Sequence, residues 1–428
     1  MNQKHLPFIL LAAITLCSVA VGCGSDDPEV PPVTPVIPDT DTIVNPVDTT
    51  TVDTDTIVIP VDSTVYIKWS GTTATVELDE SLADQITYQV TGGDVVVTNT
   101  NETDEFQFDL SGATTNGSFT YNGTYKTTIQ LRGLDLTSAT GGAIDIQCGK
   151  RVKLVLTEGT VNKLADAPDG EQKAALNCQG HLEVSGSGEL DIEGNARHAL
   201  RSKEYLQLKS STGKINIAKA ASDGIHVGEY FLMNGGEVTI SNVSSDGLQV
   251  ETDATSEEEL NGQFIMNGGI INVTLDAVDA KAIRLDADKT NTAIVPHMQI
   301  LGGNVTVAIT STALGSRGLD SDGNITIGSS STEPTIDVTV AAGTYTDTST
   351  SEEDRATGIK AELTLTIAGG TTTVAATGEK SRGVRATTLT ATGGQLTVTN
   401  TGTKSQGIKL DNVFRPGQGG TVNGSFKY

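Results

Sequence analysis

A short motif, Ser-Asp-Gly-(Ile/Leu)-polar-Val, occurs at Ser222–Val227 and again at Ser245–Val250. Between the copies lie the turn Asn234-Gly235-Gly236 and the alternating apolar pair Val238 and Ile240. Each pass holds two short strands and the turns between them, then returns to the same residues. One such pass cannot bury its own apolar face, so passes must stack to build a core. The composition agrees: aromatics are 4% of the chain, there are 47 glycines, and Thr and Val fill much of the second half. Few rings and many β-branched residues suit a narrow interior lined by aliphatic ladders.

The repeat can be followed through the apolar residue of each Gly/Ala-apolar turn. These markers are Ile144, Leu176, Leu200, Ile225, Leu248, Ile283, Leu319, Ile359, Val384 and Ile408, at steps of 32, 24, 25, 23, 35, 36, 40, 25 and 24 residues. The short steps predict a basic coil of roughly 24 residues, three short strands and three turns, and the long steps add loops. Alternation of period two, as in Asn304–Ala308, argues for strands rather than helices. Gly-Gly pairs before strands recur at 235, 268, 302, 369 and 393. The expected fold is all-β, a single-stranded parallel solenoid of about ten coils over 126–428, with an N-terminal β cap and irregular first coils over 64–125. The expected insertions are Leu156–Gln172, Glu251–Gly262, Asp286–Pro296 and Tyr345–Thr357.

Residues 1–22 read as a secretory signal, with Lys4 near the start and an apolar run Pro7–Val21 that is too short to span a membrane. Ala20-Val21-Gly22-Cys23 resembles a bacterial lipobox, which implies cleavage before Cys23 and lipid attachment there. Gly24-Ser25-Asp26-Asp27 looks like a tag for export to the cell surface. Residues 23–63 form a Pro/Thr/Asp-rich linker, extended by self-repelling charge. The expected location is the outer membrane, on the cell surface, with membrane contact through the lipid anchor only. The net charge of −25 makes nucleic acid an unfitting partner, because phosphate binding needs a basic face.

Parallel stacking aligns equivalent coil positions. Two residues before each marker stand Gly142, Ala174, His198, Asp223, Asp246, Lys281, Arg317, Thr357, Arg382 and Gln406. Aspartates one rung apart repel unless a cation lies between them, so Asp223 and Asp246, with Asp279, form a candidate calcium site. The alternative is that both aspartates accept hydrogen bonds from turn amides. One residue after each marker stand Asp145, Asn177, Arg201, His226, Gln249, Arg284, Asp320, Lys360, Arg385 and Lys409. Six of these ten are basic or His in an otherwise acidic chain. Arg201, His226, Arg284, Lys360, Arg385 and Lys409 are therefore candidate ligands for the carboxylates of an acidic polysaccharide. The alternative is lateral pairing with Glu183, Glu251 and Asp286. Tyr205 and Tyr230, each five after a marker, should stack, either as a platform for sugar rings or beneath a loop. Cys148 and Cys178 lie out of register, which favours two buried thiols over a disulfide. No Ser-His-Asp order, HExxH, P-loop or nine-residue calcium repeat is present.

The stretches Leu131–Ala167 and Gly180–Ile240 resemble the carbohydrate-binding β-helix family of bacterial surface proteins. The features that carry it are Arg132-Gly133, Gly142-Ala143-Ile144, Asn162-Lys163-Leu164 and the paired Ser-Asp-Gly motifs, in that order. The resemblance implies a right-handed parallel β-helix similar to pectate lyases. It implies calcium-associated, non-catalytic binding of cellulose or pectin-like polysaccharide. Two departures stand out: His198-Ala199-Leu200 replaces the His-Gly-Ile of many relatives, and Asp-Gly is kept only at Asp223 and Asp246. Two rival functions remain open. A lyase on this fold would use Lys281 or Arg284 as its base near Asp246 and Asp279. An adhesin or structural surface protein would have no sugar specificity.

Overall fold

The computed structural model describes residues 63–347, 351, 353–412, 414–416 and 419–427. The expected signal, Cys23 and all of the linker before Ser63 lie outside the described residues. The described chain is all-β apart from short turns such as the 3-10 turn Glu80–Leu82, and among the described residues no helix is long and apolar enough to cross a membrane.

Most strands pair in parallel with the strand three further along the chain. Ala174–Cys178 pairs with His198–Ser202, Leu182–Ser185 with Leu206–Leu208, and Glu189–Gly194 with Lys214–Ala220. This three-strand recurrence is the pattern expected of a β-helix-like solenoid. All ten markers fall in one register, from Ile144 opposite Leu176 to Val384 opposite Ile408. Each is fully buried, at 0% exposure. A buried Leu or Ile is worth about 1.5–3 kcal/mol, so the column is a main source of cohesion between rungs. A second column runs Val238, Ile271, Val305, Ile336, Thr372 and Leu396.

Small residues are required where the backbones of successive rungs come closest. A Cβ at Gly318 would lie 2.3 Å from the Gly358 carbonyl oxygen, and one at Gly224 would lie 2.6 Å from that of Gly247. This explains the glycine that precedes six of the ten markers; the other four, Ala143, Ala175, Ala199 and Ala282, carry no more than a methyl group. Asn162 joins two rungs: its Oδ1 accepts from the Gly133 and Leu134 amides at 2.9 and 3.0 Å, and its Nδ2 donates to the Glu189 carbonyl at 3.1 Å.

The insertion expected at Leu156–Gln172 needs correction, the first coils expected within 64–125 prove to be parallel already, and the two cysteines are free thiols as expected. The parallel stack starts before residue 126, since Gly93–Asn99 already pairs in parallel with Gly117–Gly123, and that strand with Ile144–Gln147. Among the described residues, antiparallel strand pairs lie at the start, Thr64–Ser70 with Thr73–Glu77 and Ile86–Thr91 with Gly93–Asn99, and in the small hairpin Thr344–Thr346 with Glu353–Arg355, besides one isolated bridge between Ser329 and Thr332. Leu156–Gln172 is not a bare insertion, because Val161–Ala165 within it is a strand of the main sheet. Cys148 and Cys178 are buried free thiols; Cys178 stands opposite Ile146, two positions away from Cys148.

Candidate functional site

One sheet carries both charged rows. The row one after the markers runs in unbroken register from Asp145 through Asn177, Arg201, His226, Gln249, Arg284, Asp320, Lys360 and Arg385 to Lys409 and Lys427. The row two before the markers lies beside it, so side chains of the two rows meet.

In the first half, acids and bases neutralise one another. Asp223 is 3% exposed and Asp246 is 2% exposed. Asp223 Oδ1 accepts from the Asp246 amide at 3.1 Å, and Asp246 Oδ1 accepts from the Lys281 amide at 2.7 Å. Each carboxylate thus caps the equivalent amide one rung on, the amide-capping alternative raised for the Asp-Gly pairs. Their other oxygens face cations. Asp223 Oδ2 lies 3.1 Å from His198 Nδ1 and 3.0 Å from His226 Nδ1, and Asp246 Oδ2 accepts from Arg284 at 3.2 Å. Burial alone would raise the Asp223 carboxyl, but hydrogen bonds from His198 and His226 hold it well below the usual carboxylate range. Burial would likewise lower His226, but its bonds to Asp223 and Glu251 raise it to about 9. Burial pushes Asp246 up to about 6 against the pull of Lys281 and Arg284.

These contacts test the calcium assignment. Calcium takes six to eight hard oxygen ligands. The oxygens of Asp223 and Asp246 already serve backbone amides, imidazoles and a guanidinium. Asp279, in a left-handed conformation at φ 55°, accepts from Lys281 Nζ at 3.1 Å. His226, Arg284 and Lys281 of the chain itself are already paired with these three carboxylates. Asp223, Asp246 and Asp279 therefore do not fit a calcium cage. The one close grouping of potential metal ligands among the described residues is His198, Asp223 and His226.

The second half is different. Arg317, Glu353, Asp354, Arg355, Thr357, Lys360, Arg382 and Arg385 line a cavity of about 150 Å³. Arg317 pairs with Asp320 at 3.1 Å and Asp354 at 2.9 Å, Lys360 with Glu362 at 3.0 Å, and Glu353 with Lys380 at 2.9 Å. Arg382 has no salt bridge among the described residues; its Nε donates to the neutral Gln406 Oε1 at 3.0 Å. Burial and the nearby Arg385, Arg355 and Arg317 lower its guanidinium to about 10. Arg385 reaches Asp411 only at 3.8 Å, and Lys409 reaches the same carboxylate at 3.2 Å.

The other candidate residues are placed as follows. Arg201 donates to Asn177 Oδ1 at 3.1 Å. His226 and Arg284 belong to the neutralised half, with Glu251 and Asp286 as the lateral partners, while Glu183 pairs with Lys209 instead. Tyr205 and Tyr230 do stack, with centroids 4.7 Å apart, but they are only 9% and 8% exposed. They form a satellite cluster with Leu232 and Ile265 under Leu260 of the 251–262 loop, and Tyr205 Oη donates to Glu183 at 3.2 Å. They offer no open face to a sugar ring, which corrects the platform reading. Sequence reasoning missed His198, Arg317, Arg355 and Arg382 as site residues. Arg317 and Arg382 were visible as cations in the row two before the markers. Arg355 lies in an expected insertion, where register gives no guidance.

The fold and this charged ladder define an all-β, largely parallel, solenoid-like protein. The model of the family of carbohydrate-binding domain-containing proteins matches residues 91–405, and the chain belongs to that family. No curated protein matches it. A solved structure described as the polysaccharide lyase-like protein from C. thermocellum, a gadolinium derivative, is similar with a TM-score of 0.50 and 19% identity. The match covers 63% of this chain and 98% of that one, and at this identity it speaks for the fold alone.

Proposed function

We propose that this protein binds acidic polysaccharide non-catalytically on the second half of the ladder, with the polymer's carboxylates docking at Arg382, Arg385, Lys360 and Lys409. The observation that carries the reading is Arg382, half-buried among cations without an acidic partner of its own. A buried, unpaired guanidinium is costly, and a bidentate carboxylate from outside relieves it. Pectin-like uronates fit this chemistry better than neutral cellulose, since the two exposed-platform candidates are covered. The family membership supports a glycan partner. A right-handed pectate-lyase-like β-helix of about ten coils is the finer fold reading that accompanies it. A lipid anchor at Cys23 and outer-membrane display complete the proposal, with the acidic linker as spacer.

The residues argue for binding rather than elimination. A lyase base must be free to take a proton. Lys281 Nζ donates to the Asp279 carbonyl at 2.6 Å and to its carboxylate, and Arg284 is held by Asp246 and Asp286. The lyase alternative draws on the name of the C. thermocellum neighbour. Incubation with polygalacturonate and with insoluble cellulose, with calcium or chelator, separates the readings. Retention on polygalacturonate with flat ultraviolet absorbance is expected. Rising absorbance from an unsaturated product would establish a lyase, and no retention on either polymer would leave an adhesin or scaffold.

A further inference from the structure

The neutralised half of the ladder holds a feature that glycan binding does not use. His198 and His226 come from neighbouring rungs, paired through Leu200 and Ile225 and through Arg201 and His226. Their rings stack with centroids 4.5 Å apart. Both present Nδ1 to the same oxygen, Asp223 Oδ2, at 3.1 and 3.0 Å. The three ligand atoms lie within 4.8 Å of one another. In a tetrahedral site with metal–ligand bonds of about 2.0–2.1 Å, neighbouring ligand atoms are roughly 3.3 Å apart. The two nitrogen–oxygen spacings, 3.1 and 3.0 Å, lie close to that value.

The supporting contacts match what ligand residues need. A carboxylate on the outer nitrogen of a ligating imidazole fixes its tautomer and raises its basicity. Glu251 Oε2 lies 3.6 Å from His226 Nε2. Asp223 is fixed from the other side, because its Oδ1 holds the Asp246 amide. The imidazole side chains keep 15% and 14% exposure, which leaves room for water or a ligand in a further position.

We infer that His198, Asp223 and His226 form a site for a divalent transition metal of the zinc, cobalt or nickel type, clipping two successive rungs together. Imidazole nitrogens suit these ions, whereas calcium prefers oxygen. Binding forms two metal–nitrogen bonds and one metal–oxygen bond; a proton on either Nδ1 leaves to buffer or moves to Nε2, and the 3.3 Å contact from the Asp223 amide to His198 Nδ1 gives way to the metal. The inference is independent of the glycan reading.

The test uses untagged, chelator-treated protein titrated with Co²⁺ and followed by its visible absorption, with Zn²⁺ and Ca²⁺ as competitors. Saturation at about one equivalent per chain, displaced by Zn²⁺ and untouched by Ca²⁺, is expected. H198Q should weaken Co²⁺ binding at least about tenfold, and E251Q by about 10-fold through the supporting contact. An unchanged Co²⁺ isotherm in folded H198Q, or no Co²⁺ spectrum with the wild-type protein, overturns the site. If H198Q does not fold, imidazole nitrogen resonances of the wild type decide. Zn²⁺ must shift those of His198 and His226 while leaving His181 and His297 in place, and shifts at the latter pair alone overturn the inference.

Discussion

From His198 to Asp286, each ladder carboxylate has a basic side chain of this chain against it: Asp223 the two imidazoles, Asp246 Arg284, Asp279 Lys281, and Asp286 Arg284 again. From Arg317 to Lys409 the same two rows, on the same sheet, crowd cations around a cavity and leave Arg382 with only a neutral amide. Register is shared, so the difference lies in the side chains of the rows and in the hairpin that brings Glu353, Asp354 and Arg355 to the cavity. In the first half charge holds rungs together; in the second most cations are paired too, but they outnumber the carboxylates around the cavity and Arg382 is left with a neutral partner. The lesson is that a basic row read from sequence must be divided by its partners before any of it is assigned to binding.

The comparison can be broken at its strongest point by Asp246→Ala. This leaves Arg284 with Asp286 alone and the Lys281 amide without its acceptor, and it should cost about 3–5 kcal/mol in denaturant unfolding. Retention of the folded variant on polygalacturonate should stay unchanged; a loss of binding without a loss of stability would erase the division between halves.

His226 sharpens the same half. Its folded value of about 9 lies above its ordinary 6.5, so its contribution is fully present below pH 6.5 and is lost as pH rises through about 9. The loss should be on the order of 3 kcal/mol, read as a falling unfolding midpoint between those limits. H226Q should flatten that fall. An equal fall in H226Q would assign it to another group.

In the second half, Arg382→Gln should weaken polygalacturonate retention about 10–100-fold, the value of one charge-assisted pair, with little change in unfolding. Marked destabilisation with normal binding would move Arg382 into the structural class. The smallest effect belongs to Tyr205→Phe. Removing the bond to Glu183 should cost about 0.5–1.5 kcal/mol and leave glycan retention untouched, because the ring is covered. Lost retention would restore the sugar-platform role.

Much of this was legible beforehand, and for a clear reason. The ten markers carry a periodicity that parallel pairing converts directly into register, so both rows could be written down correctly before their surroundings were known. The stacking of Tyr205 on Tyr230 followed from the same arithmetic. Their burial did not, because Leu260 reaches them from a loop whose path has no period. Lateral contacts were also hidden. Register says that Asp223 and Asp246 are one rung apart, but not that each turns to cap the next amide while His226 and Arg284 approach from the adjacent row. That sideways arrangement removed the argument for calcium between the aspartates. Arg355 entered the cavity from the hairpin Thr344–Thr346 with Glu353–Arg355, and no repeat position announced it.

The central claim is that the second half of the ladder binds acidic polymer at Arg382, which has no salt bridge among the described residues, with Arg385, Lys360 and Lys409 beside it. The most direct measurement is retention on polygalacturonate across a range of salt for the wild type, R382Q/R385Q, and H226Q as a control in the neutralised half, where His226 is held by Asp223 and Glu251. Salt-sensitive retention that R382Q/R385Q loses and H226Q keeps is the expected result, since exposed charge pairs are screened by salt. Equal losses in both variants, or retention indifferent to salt and to R382Q/R385Q, would contradict it.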